Sequence, residues 1–171
     1  MNAAATRIVP LEKSGIPAVI SLARSIWYAH YPGIITPEQI EYMLAAQYTV
    51  ENIQFELSRG LIRWIQIYSD SELVGFASYG PITARQLKLH KLYIDPGLHG
   101  QGLGRAALEY VVKAAEELGL PEVCLNVNKQ NEKAIRAYKR MGFSVAEELV
   151  VDIGSGFVMD DYVMVKKILS P

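Results

Sequence analysis

Apolar residues recur along this chain at two different spacings. In LGRAALEYVVKAAEELGLP (103–121), Leu103, Ala107, Tyr110, Val111, Ala114 and Leu118 repeat every three or four residues. Arg105, Glu109, Lys113 and Glu116 lie opposite them, which is the pattern of a helix with one buried face. Gly119 and Pro121 end it. A second helix is expected in SGIPAVISLARSIWYAHY from Ile16, Val19, Ile20, Ala23, Ile26 and Trp27. A third opens at TPEQIEYMLAAQY, where Thr36 is a cap, Pro37 suits the first turn and Gln39 completes a capping box. NEKAIRAYKRM is a fourth, stopped by Gly142. TRIVPL, RQLKLHKLYI, EVCLNV, FSVAEELVVDI and DYVMVKKI read as strands. LIRWIQIYSDSELVGFASYGPI reads as a hairpin turning at Ser69, Asp70 and Ser71. Strands in series followed by strand–helix–strand predict an α/β (α+β) fold. A single mixed central sheet flanked by helices is expected.

At 171 residues, half of them hydrophobic, the chain suits one domain spanning 1–171, and no repeat or linker divides it. A formal net charge of -1 without a basic block argues against nucleic acid as partner. No apolar run reaches membrane-spanning length, and MNAAATRIVPLEKSG lacks the apolar core of a signal peptide. Cys124 is the single cysteine, so no internal disulfide forms, and a reducing, cytoplasmic setting is expected. Three scattered histidines and that one cysteine predict no metal site.

The candidate chemistry sits at the mouth of the first helix described. Four glycines, Gly97, Gly100, Gly102 and Gly104, fall within eight positions and lead directly into it. Glycine allows close backbone approach, and the first N–H groups of a helix attract anions. A phosphate cradle and an ordinary glycine-rich turn both fit those letters. A P-loop requires Gly-Lys-Ser/Thr, whereas Gly104 precedes Arg105 and Ala106. A dinucleotide fingerprint fails too, because Gly100, Gly102 and Gly104 are evenly spaced.

Two motifs resemble the GCN5-related N-acetyltransferase (GNAT) superfamily. LYIDPGLHGQGLGRAALEYVV is similar to the family's strand, Asp-Pro and acetyl-CoA loop. LNVNKQNEKAIRAYKRMGF is similar to its strand–Asn–helix–Tyr–Gly-Phe element. The resemblance implies a GNAT fold, whose single mixed, mostly antiparallel central sheet is flanked by helices, and an acetyl-CoA-dependent N-acetyltransferase. In that reading the backbone of Gly100, Gln101, Gly102, Leu103, Gly104 and Arg105 cradles the pyrophosphate of CoA. The strand edge Leu92, Tyr93 and Ile94 takes the pantetheine arm, with Asn131 also on the pantetheine. Tyr138 serves as the acid that protonates the departing sulfur. Asn131 and Tyr138 are seven residues apart, so they share a helix face at about 10 Å along the axis. A packed core aromatic is the bland alternative for Tyr138.

Departures from the family pattern matter as well. His99 opens the loop where Arg or Gln is usual. The places of the general base hold Lys88 and Asn126, so the proton of the acceptor ammonium must go elsewhere: to a water chain, His90, Asp160 or Asp161. By family position the acceptor cleft is walled by the aromatic stretch Trp27, Tyr28, Tyr31 and Tyr42 and by DIGSGFVMDDYVM. The latter is expected to be a mobile loop whose rim carries Asp160 and Asp161. The implied partners are acetyl-CoA and a small-molecule amine or a peptide N-terminus, and a homodimer is compatible. A non-catalytic acyl-CoA-binding or sensor module is the rival reading, favoured by the absent carboxylates.

Overall fold

The computed structural model describes residues 5–168, so the first four residues of the amino-terminal stretch discussed above lie outside it. The elements are β1 (Thr6–Pro10), α1 (Ile16–His30), α2 (Pro37–Gln47), α3 (Val50–Arg59), β2 (Arg63–Ser69), β3 (Glu72–Pro81) and β4 (Gln86–Ile94). They continue with α4 (Leu103–Glu117), β5 (Glu122–Asn128), α5 (Glu132–Arg140), β6 (Ser144–Gly154) and β7 (Phe157–Lys167). The seven strands form one mixed, mostly antiparallel sheet, the fold class expected above, and their order is β1-β2-β3-β4-β5-β7-β6. The chain forms two compact units, and both β4 and α4 contribute to each.

The first unit comprises the chain up to Gly80 together with Lys91–Tyr110. Helices α2 and α3 start where a threonine side chain accepts from an otherwise unpaired backbone amide. Thr36 Oγ1 accepts from the Gln39 amide at 3.1 Å, and Thr49 Oγ1 from the Asn52 amide at 3.2 Å. The second of these caps α3, a helix absent from the apolar pattern because it buries one residue only, Ile53. The hairpin turns at Asp70, whose φ is 53°. Ile67, Val74, Ile94, Leu103 and Ala107 form a core cluster, with Ile8, Leu92 and Leu98 packed against it. That cluster fixes the end of β4 against the start of α4. Gly75 allows the approach, since a Cβ there would lie 2.7 Å from the Tyr93 carbonyl oxygen.

The second unit comprises Pro81–His90 and the chain from Val111 onward. Here β4 and β5 pair in parallel from Gln86↔Glu122 to Leu89↔Leu125. The ladder ends there, while β5 continues to Asn128 and remains paired with β7. The buried face of α4 differs from expectation: Leu108 and Ala115 are buried, whereas Leu118 is 47% exposed. Leu118 lies beyond the last helical residue, Glu117, where the chain turns through Gly119 at φ 68°.

DIGSGFVMDDYVM is not a loop. The strands run to Gly154 and resume at Phe157, joined by Ser155 and Gly156 at φ 54° and 78°. Two successive positive φ values are the geometry of the tight turn that matches strand twist. Asp160 and Asp161 therefore lie inside β7, where neighbours point to opposite faces.

Candidate active site

In the first unit the strand end, the glycine loop and the helix start form one construction. Asp95 caps the turn after β4 by accepting from the Gly97 amide at 2.8 Å. His99 folds back, and its Nε2–H donates to the Ile94 carbonyl at 3.0 Å. The loop is thereby tied to the strand it leaves. Gly100 and Gly102 both have φ of 83°, and a Cβ on either would meet nothing within 4 Å. These positions are open to something approaching the backbone. The helical ladder begins with the Ala106 amide bonded to the Gly102 carbonyl at 2.9 Å. The amides of Leu103, Gly104 and Arg105 precede it, as the first N–H groups of any helix do. Arg105 is exposed and bonded to Glu109 at 2.8 Å, so its guanidinium is engaged along the helix.

Of the predicted strand residues, Ile94 is buried, while Leu92 and Tyr93 are half-buried. Tyr93 enters an aromatic cluster that the sequence did not reveal as a unit. Its hydroxyl is 3.0 Å from that of Tyr31, and its ring centroid is 5.7 Å from Trp27 and 5.5 Å from Phe76. Tyr48 and Trp64 complete the group, with Lys91 Nζ 5.8 and 5.3 Å from their ring centroids. Trp27 Nε1 and the Tyr48 hydroxyl are buried without a hydrogen-bond partner. Burial holds the Tyr48 phenol well above its ordinary pKa. Of the expected acceptor walls, Trp27 and Tyr31 belong to this cluster, Tyr42 is half-buried, and Tyr28 is 40% exposed beneath Arg24.

The second unit carries the other predicted residues. Asn131 is buried and caps α5, its Oδ1 accepting from the Ala134 amide at 3.3 Å. Tyr138 is half-buried on the same helix, with its ring edge-on to Phe143 at 5.7 Å. Asp160 and Asp161, adjacent in sequence, have opposite surroundings. Asp160 is exposed and paired with Lys129 at 2.7 Å, and Glu148 holds the same ammonium at 2.7 Å. These two carboxylates drive the Lys129 pKa up. Asp161 is 7% exposed, and its Oδ1 has no hydrogen-bond partner. Burial and, after it, the Asp160 charge push its pKa up, opposed by Lys88 and Lys129. A groove of about 580 Å³ in this unit, lined by Gln86, Glu122, Gly142, Ser144, Ala146, Val165 and Lys167, holds none of the predicted residues. Among the described residues no group of three or more His, Cys, Asp or Glu side chains could hold a metal ion. No described helix is long and apolar enough to cross a membrane.

Residues 21–143 match the acetyltransferase (GNAT) family model. The chain belongs to the GNAT acetyltransferase family. Like other members it is an enzyme that uses acetyl-CoA as co-substrate. GNAT relatives align over most of its length. Spermidine N(1)-acetyltransferase of Thermoplasma acidophilum is 29% identical over 154 residues, covering 88% of this chain and 92% of that protein. The PaiA N-acetyltransferase of the same organism, solved in complex with coenzyme A, superposes with a TM-score of 0.82 at 27% identity. That match covers 95% of this chain and 99% of that one. A peptidyl-lysine N-acetyltransferase of Salmonella typhimurium is 35% identical over 89 residues, 52% of this chain and 54% of its own.

The glycine loop fits the co-substrate. Its open, positive-φ backbone is the kind of cradle that a side chain would fill, and it stands at a helix start that favours anions. His99 is the residue whose role in this GNAT loop sequence reasoning missed. Its place immediately before a glycine-rich loop was visible, but its bond to Ile94 depends on how the loop folds back.

Proposed function

We propose that this enzyme acetylates a primary amine, on a small molecule or a peptide, by direct attack of the amine on the acetyl thioester. The observation that carries the reading is the open backbone at Gly100 and Gly102, leading into α4 beside a strand end held by His99 and Asp95. Backbone amides from Gly100 to Arg105 hold the pyrophosphate of CoA. The edge of Leu92, Tyr93 and Ile94 receives the pantetheine as an added strand would be received, with Asn131 as a further contact. CoA supplies the activated acetyl group, and the chain's own groups do the remainder. Strand-edge N–H groups polarise the carbonyl under attack, and the Tyr138 hydroxyl gives its proton to the leaving thiolate.

The relatives support this acceptor class, one being named for spermidine and another for peptidyl lysine. Both substrates present primary amines on flexible apolar arms. Tyr31, with its hydroxyl paired to Tyr93, and the buried Asp161 of β7 are the groups we assign to the acceptor, while Asp160 is held by Lys129. We place the reaction in the cytoplasm, where the buried Cys124 thiol would stay reduced. The test is acetyl-CoA consumption against spermidine, other polyamines, amino acids, aminoglycosides and short peptides. Thiol release with at least one amine is expected. CoA binding without release on any acceptor would make the protein an acyl-CoA sensor instead.

A further inference from the structure

A primary ammonium titrates near pH 10, so its nitrogen becomes nucleophilic only after a group in the protein or solvent takes a proton from it. Neither Lys88 nor Asn126 can serve as a carboxylate base. The second unit holds several acids, and most are committed. Asp160 and Glu148 share Lys129. Glu122 accepts from Gln86 Nε2 at 2.9 Å, Glu132 pairs with Arg136 at 3.3 Å, and Asp152 accepts from the Gly154 amide at 2.8 Å. Asp161 differs from all of these, being buried with one carboxylate oxygen that accepts no hydrogen bond.

Its position follows from the strand register. Asp161 stands opposite Asn128, Val163 opposite Asn126 and Val165 opposite Cys124. Cys124 in turn stands beside Lys88. Asp161, Asn128, Asn126 and Lys88 therefore occupy one face of the sheet. Asn126 and Asn128 lie on the part of β5 beyond Leu125, where its ladder with β4 has ended. A carboxylate with an uncommitted lone pair thus flanks the open stretch of the parallel strand. Leaving such a group buried is destabilising. A fold tolerates that cost most readily where the group is used.

We propose that Asp161 is the general base that takes the proton from the acceptor ammonium. The proposal rests on the acetyl-transfer reading above. The N–H bond of the ammonium breaks and its proton passes to the free carboxylate oxygen. The nitrogen lone pair so released forms the C–N bond as the C–S bond of the thioester breaks. Tyr138 protonates the thiolate, the acylated nitrogen gives a second proton to solvent, and its third stays as the amide N–H. Lys88 of β4, Lys129 after β5 and Asp160 of β7 itself are the charged groups acting on Asp161. The upward shift that burial and Asp160 impose moves it toward the pH range where a base works best.

The experiment compares wild type with Asp161→Asn, Asp161→Glu and Asp161→Ala, using the best amine of the panel. Asn should lower kcat/KM for the amine by about 10²-fold or more, with acetyl-CoA affinity unchanged and the acidic limb of the pH profile gone. Glu should keep that limb at a reduced rate, and added formate should partly restore Ala. Those last two outcomes do not follow from a packing role, and either remains readable should Asn fail to fold. An Asn variant with wild-type kcat/KM and an unchanged acidic limb overturns the base role alone. A wild type inert toward every amine overturns the acetyl-transfer reading and the base role with it.

Discussion

Two glycines with similar backbone strain but different surroundings allow the cradle to be tested without confusing binding with stability. Gly102 has φ of 83° and Gly119 has φ of 68°, and a Cβ on either would meet nothing within 4 Å. Alanine at such angles costs about 1–2 kcal/mol of backbone strain. For a chain of this length that lowers Tm by roughly 2–8 °C. Both Gly102→Ala and Gly119→Ala should show this fall. Only Gly102 belongs to the proposed cradle. A methyl there would push phosphate oxygens away from the adjacent amides, whose charge-assisted hydrogen bonds contribute about 1.5–3 kcal/mol each. Losing two weakens CoA by roughly 10²-fold or more. Calorimetric titration with CoA, alongside thermal melts of the three proteins, reads both effects. Gly119→Ala should bind CoA like wild type. If both variants melt lower and bind CoA with the same affinity, the glycine loop is an ordinary turn and its assignment fails.

Further outcomes are expected. Tyr138→Phe keeps the ring against Phe143 and should lower kcat by about 10²-fold with CoA affinity nearly intact; wild-type turnover would show that solvent protonates the sulfur. Thermal melts of Asp161→Asn across pH test the buried carboxylate. In the folded chain Asp161 holds its proton to higher pH than when unfolded, so its stabilising contribution is complete below the ordinary Asp value near about 3.9 and lost as pH rises through the folded value. The Asn variant should therefore exceed wild type in Tm at neutral pH and lose that advantage below about pH 4. A double-mutant cycle of Tyr31→Phe and Tyr93→Phe should give a coupling of about 1 kcal/mol in denaturant unfolding, since the hydroxyls lie 3.0 Å apart; strict additivity would deny the bond. His99→Ala removes the bond to Ile94 and should weaken CoA by less than Gly102→Ala does, because it loosens the loop without entering it.

How much of this was visible in the letters depended on how strongly each element declares itself locally. Thr36, Pro37 and Gln39 announce the start of α2, and the Thr36 cap bond is present. The α4 stripe was legible because its apolar residues recur over four turns, although its edge was misjudged at Leu118, beyond the last helical turn. Helix α3 buries one side chain, and a single buried position leaves no periodic signal. The adjacent acids of β7 show a different limit. Two neighbouring aspartates suggest a polar loop until the tight turn at Ser155 and Gly156 is known. Strand alternation then separates them, placing Asp160 with Lys129 and burying Asp161. The open backbone at Gly100 and Gly102 was readable because glycine declares such a conformation locally. The aromatic cluster was not, because Trp27 and Tyr31, Tyr48, Trp64, Phe76 and Tyr93 come from five separate stretches of the chain and meet only after folding.

The central claim, that this GNAT enzyme transfers acetyl groups to a primary amine, is tested most directly by following thiol release from acetyl-CoA while the acceptor panel is varied. The account predicts steady release with at least one primary amine, an acetylated amine in matching amount, and a rate about 10²-fold lower in Tyr138→Phe. Tight CoA binding with no thiol released in the presence of any amine would contradict it.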